Sequence, residues 1–280
     1  MLMQGQTDMT PQLAGSIGRH SLTQHSASGD VLLLAHGFGC DQTIWARLLP
    51  HLVSRYAVYT FDYIGAGRSD MSAYSSERYG TLEGYARDVE SLVESMDAGP
   101  VTFVGHSVSA TIGALASIRR PELFSSLVML APSACYINEP PVYMGGFERS
   151  AITGLLDMIE RNAAAWPAML APMVMGNADR PELTTELQDR FCAVDRGVAT
   201  DFARATFLSD HRADLAAVPV PALIVQCTDD LIAPITAGDF LADTIPEATL
   251  RQLAITGHCP HVSHPAEVAE LIHEFVGVMA

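Results

Sequence analysis

Gly105-His106-Ser107-Val108-Ser109-Ala110 follows the apolar run Val101–Val104 and opens a stretch of small and apolar residues reaching Arg119. That order reads as a buried strand, a tight turn and a helix. An alcohol is a poor nucleophile at neutral pH and needs a base and a position clear of the backbone. A strand-to-helix elbow supplies the position, at the cost of strained backbone angles and close strand–helix packing. Small residues are then required two places before the serine and two to three places after it. Gly105, Ser109 and Ala110 meet that need. Ser109 stands where the usual pattern G-x-S-x-G has glycine, which is a departure. A Gly-x-Ser in any such turn can also be no more than a helix cap.

Outward from the elbow, strand-length apolar runs alternate with helical stretches. Val31–Ala35, Tyr56–Phe61, Leu127–Leu130, Ala222–Cys227 and Thr249–Ala254 read as further strands. Leu82–Met96, a helix around Ile235–Thr244 and a last helix from Ala266 fall between or after them. This rhythm predicts an α/β fold with a mostly parallel central sheet flanked by helices. From Tyr136 to Ser209 no strand pattern stands out. Segments rich in Ala, Met and Leu are broken there by Pro140-Pro141, Gly145-Gly146, Pro167, Pro172 and Pro181. A helical insertion of roughly seventy residues reads as a lid. The expected division is a core of residues 19–135 and 210–280, a lid of 136–209 and an N-terminal extension of 1–18.

The remaining chemistry follows the serine's needs. Acyl transfer creates a negative oxygen, best met by backbone N–H groups aimed in advance. Val108, next after the serine, is one expected donor. Phe38, in the loop His36-Gly37-Phe38-Gly39 after the strand Val31–Ala35, is the other. An acid and a base should follow in the order Ser, Asp, His. Thr228-Asp229-Asp230 closes one later strand, and spacing alone leaves the two carboxylates level. Gly257-His258-Cys259-Pro260-His261-Val262-Ser263-His264 closes the next. His258, nearest the strand end and just behind a glycine, is the expected base.

Composition narrows the alternatives. A formal charge of -16 disfavours nucleic acid or an anionic membrane as partner. No apolar run approaches the ~20 residues needed to span a bilayer. The first eighteen residues lack the basic and apolar regions of a cleaved signal, so a cytoplasmic protein is expected. Five scattered cysteines suit reduced thiols better than a disulfide framework. Pro260 and Pro265 break any helix that could align His258, His261 and His264 on a metal, so no metal or cofactor is expected. Gly65-Ala66-Gly67 lacks the spacing of a dinucleotide loop and reads as a turn.

Taken together, HGFGCDQTIW (36–45), FDYIGAGRSD (61–70), GHSVSATIGALAS (105–117), RRPELFSSLVML (119–130), SDHRADL (209–215) and GHCPHVSHP (257–265) resemble the RsbQ-type α/β-hydrolases. These are bacterial stress-response regulators to which the plant strigolactone and karrikin receptors are similar. The likeness runs from about Arg19 onward, and serine at position 109 looks like the plant-receptor branch. It implies Asp230, four residues before Pro234, as the triad acid, with His258 as base and Phe38 and Val108 as oxyanion donors. It implies a four-helix lid over an apolar pocket. From the residues, Trp166, Met169, Met173, Phe202 and Phe207 are candidates to line that pocket, although such residues at helical spacing are more often plain core. Two roles follow. One is hydrolysis of a small hydrophobic ester or lactone through an acyl-serine. The other, carried by the resemblance alone, is a ligand-sensing module whose lid engages a protein such as a PAS-containing phosphatase.

Overall fold

A computed structural model describes residues 11–162 and 165–279. Seven strands form one sheet: β1 (Thr23–Gln24), β2 (Val31–Ala35), β3 (Ala57–Phe61), β4 (Val101–His106), β5 (Phe124–Leu130), β6 (Ala222–Asp229) and β7 (Ala248–Thr256). Their order is β1-β3-β2-β4-β5-β6-β7, with only β1 antiparallel to its neighbour. Every residue of β4 is buried, and β2, β5 and β6 are nearly so. Continuous apolar runs in place of alternation are what a parallel sheet covered on both faces demands.

Helices of the sheet layers are α1 (Pro11–Arg19), α2 (Leu49–Leu52), α3 (Ser76–Tyr79), α4 (Leu82–Met96) and α5 (Val108–Arg119). Between β5 and β6 lie α6 (Arg149–Arg161), α7 (Trp166–Met175), α8 (Pro181–Ala193) and α9 (Arg196–Phe207). The chain closes with α10 (Ile235–Thr244), α11 (Pro260–Ser263) and α12 (Pro265–Met279). Helix α6 packs on α9, and α7 on α8. No helix among the described residues is long and apolar enough to cross a membrane.

The expected α/β architecture is present, and α4 and α10 have the bounds read from the sequence. Strand β4 runs two residues further than its apolar core suggested, because ladder bonds continue through Gly105 and His106. The two-residue β1 leaves no mark in the sequence pattern, because two residues cannot show a period. Of the expected N-terminal extension, residues 1–10 lie outside the described residues, whereas 11–18 belong to α1, which packs on α4. The insertion also begins differently from a pure helical segment. Residues 136–148 form a looped arm, pinned by Phe147 N–H to the Tyr136 carbonyl and Asn138 N–H to the Phe147 carbonyl.

Parallel strands place their carboxyl ends on one edge of the sheet, and loops gather there from distant parts of the chain. Here the loops after β2, β4, β6 and β7 carry Phe38, Ser107, Asp230 and His258. The fold's contribution to the site is that convergence.

Candidate active site

Ser107 sits at φ 56°, ψ −124°, a backbone conformation that L-residues rarely adopt. Its N–H donates to the Leu130 carbonyl at 2.8 Å, which ties the elbow to β5. Gly105 is required by contact: a Cβ there would lie 2.6 Å from the Ser109 backbone. Ser109 does more than stay small. Its hydroxyl donates to the His36 carbonyl and meets the Tyr63 hydroxyl at 3.0 Å, so it fastens the elbow to the loop after β2. Glycine could not make either bond.

Three side chains from three loops form one buried chain of hydrogen bonds. His258 Nδ1–H donates to Asp230 Oδ2 at 2.7 Å, and Ser107 Oγ–H donates to His258 Nε2 at 2.7 Å. The other Asp230 oxygen accepts from the backbone N–H groups of Ile232 and Ala233 at 2.8 and 3.1 Å. That carboxylate is locked in direction, and it fixes the imidazole tautomer that leaves Nε2 free to accept. Asp229 points the other way, accepting from Thr256 Oγ1 at the exposed edge of β6. Alternation at a strand end separates the two aspartates, a distinction that spacing alone leaves open.

Behind His258 stands a set of neutral histidines. His106 Nε2–H donates to the His258 backbone carbonyl at 2.9 Å. Burial, then the neighbouring His261 and His258, hold the His106 pKa well below its usual value. Burial also lowers His261 to about 3, with its ring packed 4.5 Å from Trp45 and 4.4 Å from His106. His36 is lowered by burial as well, and it accepts the Tyr63 N–H through Nε2. His106 is a directed donor, while both ring nitrogens of His261 lack a hydrogen-bond partner among the described residues. Of the others in the run, His261 lies inside α11, and His264 pairs with Ser263.

Tyr136 is the partner that sequence reading missed. Its hydroxyl lies 3.2 Å from Ser107 Oγ. Ser107 gives its own proton to His258, so the Tyr136 hydroxyl is the donor in this contact. Burial raises the phenol's pKa, which keeps that proton in place. Nothing in the local sequence marks it, because it arrives from the arm 136–148.

Above Ser107 the space is apolar and nearly full. Phe38 is the hub of a ring cluster, with Trp166, Phe191, Phe202 and Phe207 at centroid distances of 5.7, 6.3, 5.9 and 5.8 Å. A cavity of about 30 Å³ remains, bounded by Phe38, Cys40, Leu170, Val174, Leu187, Phe191, Phe207, Ile232 and Cys259 around Ser107 and His258. Of the five residues expected to line it, Phe207 does so, while Trp166 and Phe202 stand one ring behind Phe38. Met169 is 46 % exposed, and Met173 is half-buried outside the lining. Leu170 and Val174 hold the inward positions of α7 instead. Met169/Met173 and Leu170/Val174 are adjacent stripes of equal spacing, so periodicity alone cannot say which faces inward.

With this geometry in view, the similarity to known proteins is specific. The profile described as "Alpha/beta hydrolase family" matches residues 32–271. The chain belongs to that family. It is 39 % identical to a protein of Oryza sativa subsp. japonica whose name begins "Probable esterase", over 84 % of this chain and 87 % of that one. It is 36 % identical to a "Strigolactone esterase" of Arabidopsis thaliana, covering 88 % of this chain and 92 % of the relative. A hydrolase structure from Oleispira antarctica superposes with a TM-score of 0.92 at 39 % identity, covering 95 % and 97 % of the two chains. That structure shares this fold across nearly the full chain.

Proposed function

We propose that this chain is a serine hydrolase of small apolar esters or lactones, with Ser107 as nucleophile, His258 as general base and Asp230 as the acid that orients it. The observation that carries the reading is the continuous buried chain Ser107–His258–Asp230, with both links at 2.7 Å. In the acylation step His258 Nε2 takes the Oγ proton as Oγ attacks the carbonyl carbon. Backbone N–H groups of Phe38 and Val108 hold the oxygen that becomes negative. As the first residue of α5, Val108 has an N–H with no acceptor inside its own helix. The imidazolium then returns the proton to the leaving alkoxide, which for a lactone stays tethered to the acyl group. Water, deprotonated by His258, cleaves the acyl-Ser107 ester and restores the hydroxyl. The relatives named as esterases support the same chemistry.

In this reading residues 136–209 serve as a lid on a core of 19–135 and 210–280. The residual cavity of about 30 Å³ is far smaller than a small-molecule site, which spans roughly 300–1,000 Å³. Substrate entry therefore requires the rings around Phe38 to part. Four buried free thiols, Cys40, Cys135, Cys227 and Cys259, suit a reducing, cytoplasmic setting. The test is direct: wild type should be labelled by a fluorophosphonate probe and should turn over short-chain p-nitrophenyl esters, while Ser107→Ala does neither. Equal turnover by Ser107→Ala ends the proposal.

A second role, compatible with the first, is ligand sensing of the RsbQ or strigolactone-receptor kind. A Petunia hybrida relative named as a "Karrikin insensitive 2 receptor", at 36 % identity, favours it. A lid that must open for its ligand would also present a changed surface to a protein partner, such as a PAS-containing phosphatase. A pull-down with and without lactone ligands checks this, and no ligand-dependent partner in the source cell's extract argues against it.

A further inference from the structure

The corner between α7 and α8 is bonded to the loop that carries His258. The His258 backbone N–H donates to the Val174 carbonyl, in the last turn of α7, at 2.8 Å. Asn177, a buried side chain in that corner, uses its amide donors on the Met175 carbonyl at 2.6 Å and the Thr256 carbonyl at 3.0 Å. Arg180 donates to the Ser263 carbonyl at 2.7 Å and also to the Asn177 side-chain oxygen. The pair thus grips both ends of residues 256–263, one at the exit of β7 and the other at the end of α11. At Gly257 and His258 the two backbones also meet directly. Gly257 has φ +99°, and a Cβ on it would run into the Met175 carbonyl oxygen. The glycine before the base is thereby explained as the residue that lets α7 come this close.

Helix α7 also supplies Leu170 and Val174 to the cavity wall. One helix end therefore touches the substrate space on one side and holds the base loop on the other. We propose that Asn177 and Arg180 are positioning residues for His258, fastening the wall of the pocket and the general base into one unit. The serine-hydrolase reading is the premise of this role. A ligand that displaces α7 would shift His258 against Ser107, where the bond at 2.7 Å leaves little slack. The corner stays with the core, and opening falls to the rings farther from it.

Four variants of the full chain test the clasp: Asn177→Ala, the near-isosteric Asn177→Asp, Arg180→Ala and Arg180→Lys. They are assayed with p-nitrophenyl acetate and with a fluorophosphonate, alongside melting temperatures. Asn177→Ala and Asn177→Asp should each lower kcat by about tenfold with KM changed less than about threefold, since displacement of a catalytic group costs rate before binding. Phosphonylation of Ser107 should slow in parallel. Arg180→Lys, which keeps a donor for the Ser263 carbonyl, should recover most of what Arg180→Ala loses. Deuterium exchange should rise in the peptide spanning 256–264. A space-filling role predicts that Asn177→Asp, which loses the donors and gains a charge facing two carbonyls, lowers the melting temperature yet keeps the kcat of wild type. That result, or kcat within about twofold of wild type for both Asn177 variants, overturns the clasp alone. A wild type inert to both reagents overturns the hydrolase reading and the clasp with it. If Asn177→Ala fails to fold, the Arg180 pair and Asn177→Asp carry the decision.

Discussion

The floor and the roof of this site are built by different physics. In the floor, Ser107, His258 and Asp230 stand at the ends of parallel strands and are aimed by short, directional hydrogen bonds. In the roof, side chains of α7, α8 and α9 meet Phe38 through rings tilted and edge-on around it. Directional bonds specify one geometry, whereas apolar contact accepts any arrangement that fills volume. The floor should therefore fail in rate when altered, and the roof in stability and selectivity.

The largest expected effect lies in the floor. Asp230→Asn should lower kcat by about 10⁴-fold with the fold intact, since the amide favours the wrong imidazole tautomer. Asp229→Asn, one residue away and facing solvent, should leave kcat within about twofold, and steady-state kinetics on both variants decide the assignment. Next comes the roof. Phe191→Ala removes a ring packed 5.0 Å from Trp166 and should cost about 3 kcal/mol in urea unfolding. The same variant should turn over longer acyl chains better relative to acetate. Unchanged chain-length preference would show that this ring is not part of the barrier to entry.

Acid should loosen the floor. His261 is neutral when folded, its pKa lowered to about 3, first by burial and then by its neighbours His258 and Arg190. Below an unfolded value near 6.5, the unfolded chain takes up a proton that the native state refuses. Stability is thus complete above about pH 6.5 and falls progressively toward pH 3, by up to about 1.4 kcal/mol per pH unit for one such residue. His261→Leu should make this limb shallower in urea midpoints measured between pH 7.5 and 5, with buried His106 and His36 still contributing. The smallest effect is expected from Tyr136→Phe, which removes one neutral donor and should lower kcat by about fivefold. Its pH–rate profile should match wild type, because a buried phenol does not titrate there; a displaced profile would mean that Tyr136 acts through a charge.

Legibility followed the same division. The elbow and the loops after β2 and β7 were readable because each is a local pattern whose spacing has a steric cause, as at Gly105. Strand cores were readable because buried parallel strands need unbroken apolar runs. Inward and outward faces of α7 were not, since Leu170 and Met169 differ by one position on a helix that is apolar nearly all round. Tyr136, Asn177 and Arg180 act across 29, 79 and 83 residues of chain, beyond any window of pattern.

By itself, the sequence determined the order of three groups along the chain: an elbow serine, then a pair of aspartates, then a histidine, each at the end of an apolar run. Local sterics and solvation impose those patterns, and they survive without knowledge of neighbours. Only the tertiary structure decided which of two adjacent aspartates faces the imidazole and which stripe of α7 faces the serine. It also decided that Tyr136 meets the Ser107 hydroxyl and that Asn177 bonds the Thr256 carbonyl. Those choices depend on directions in space, and direction is set by what packs against each element rather than by the element's own residues.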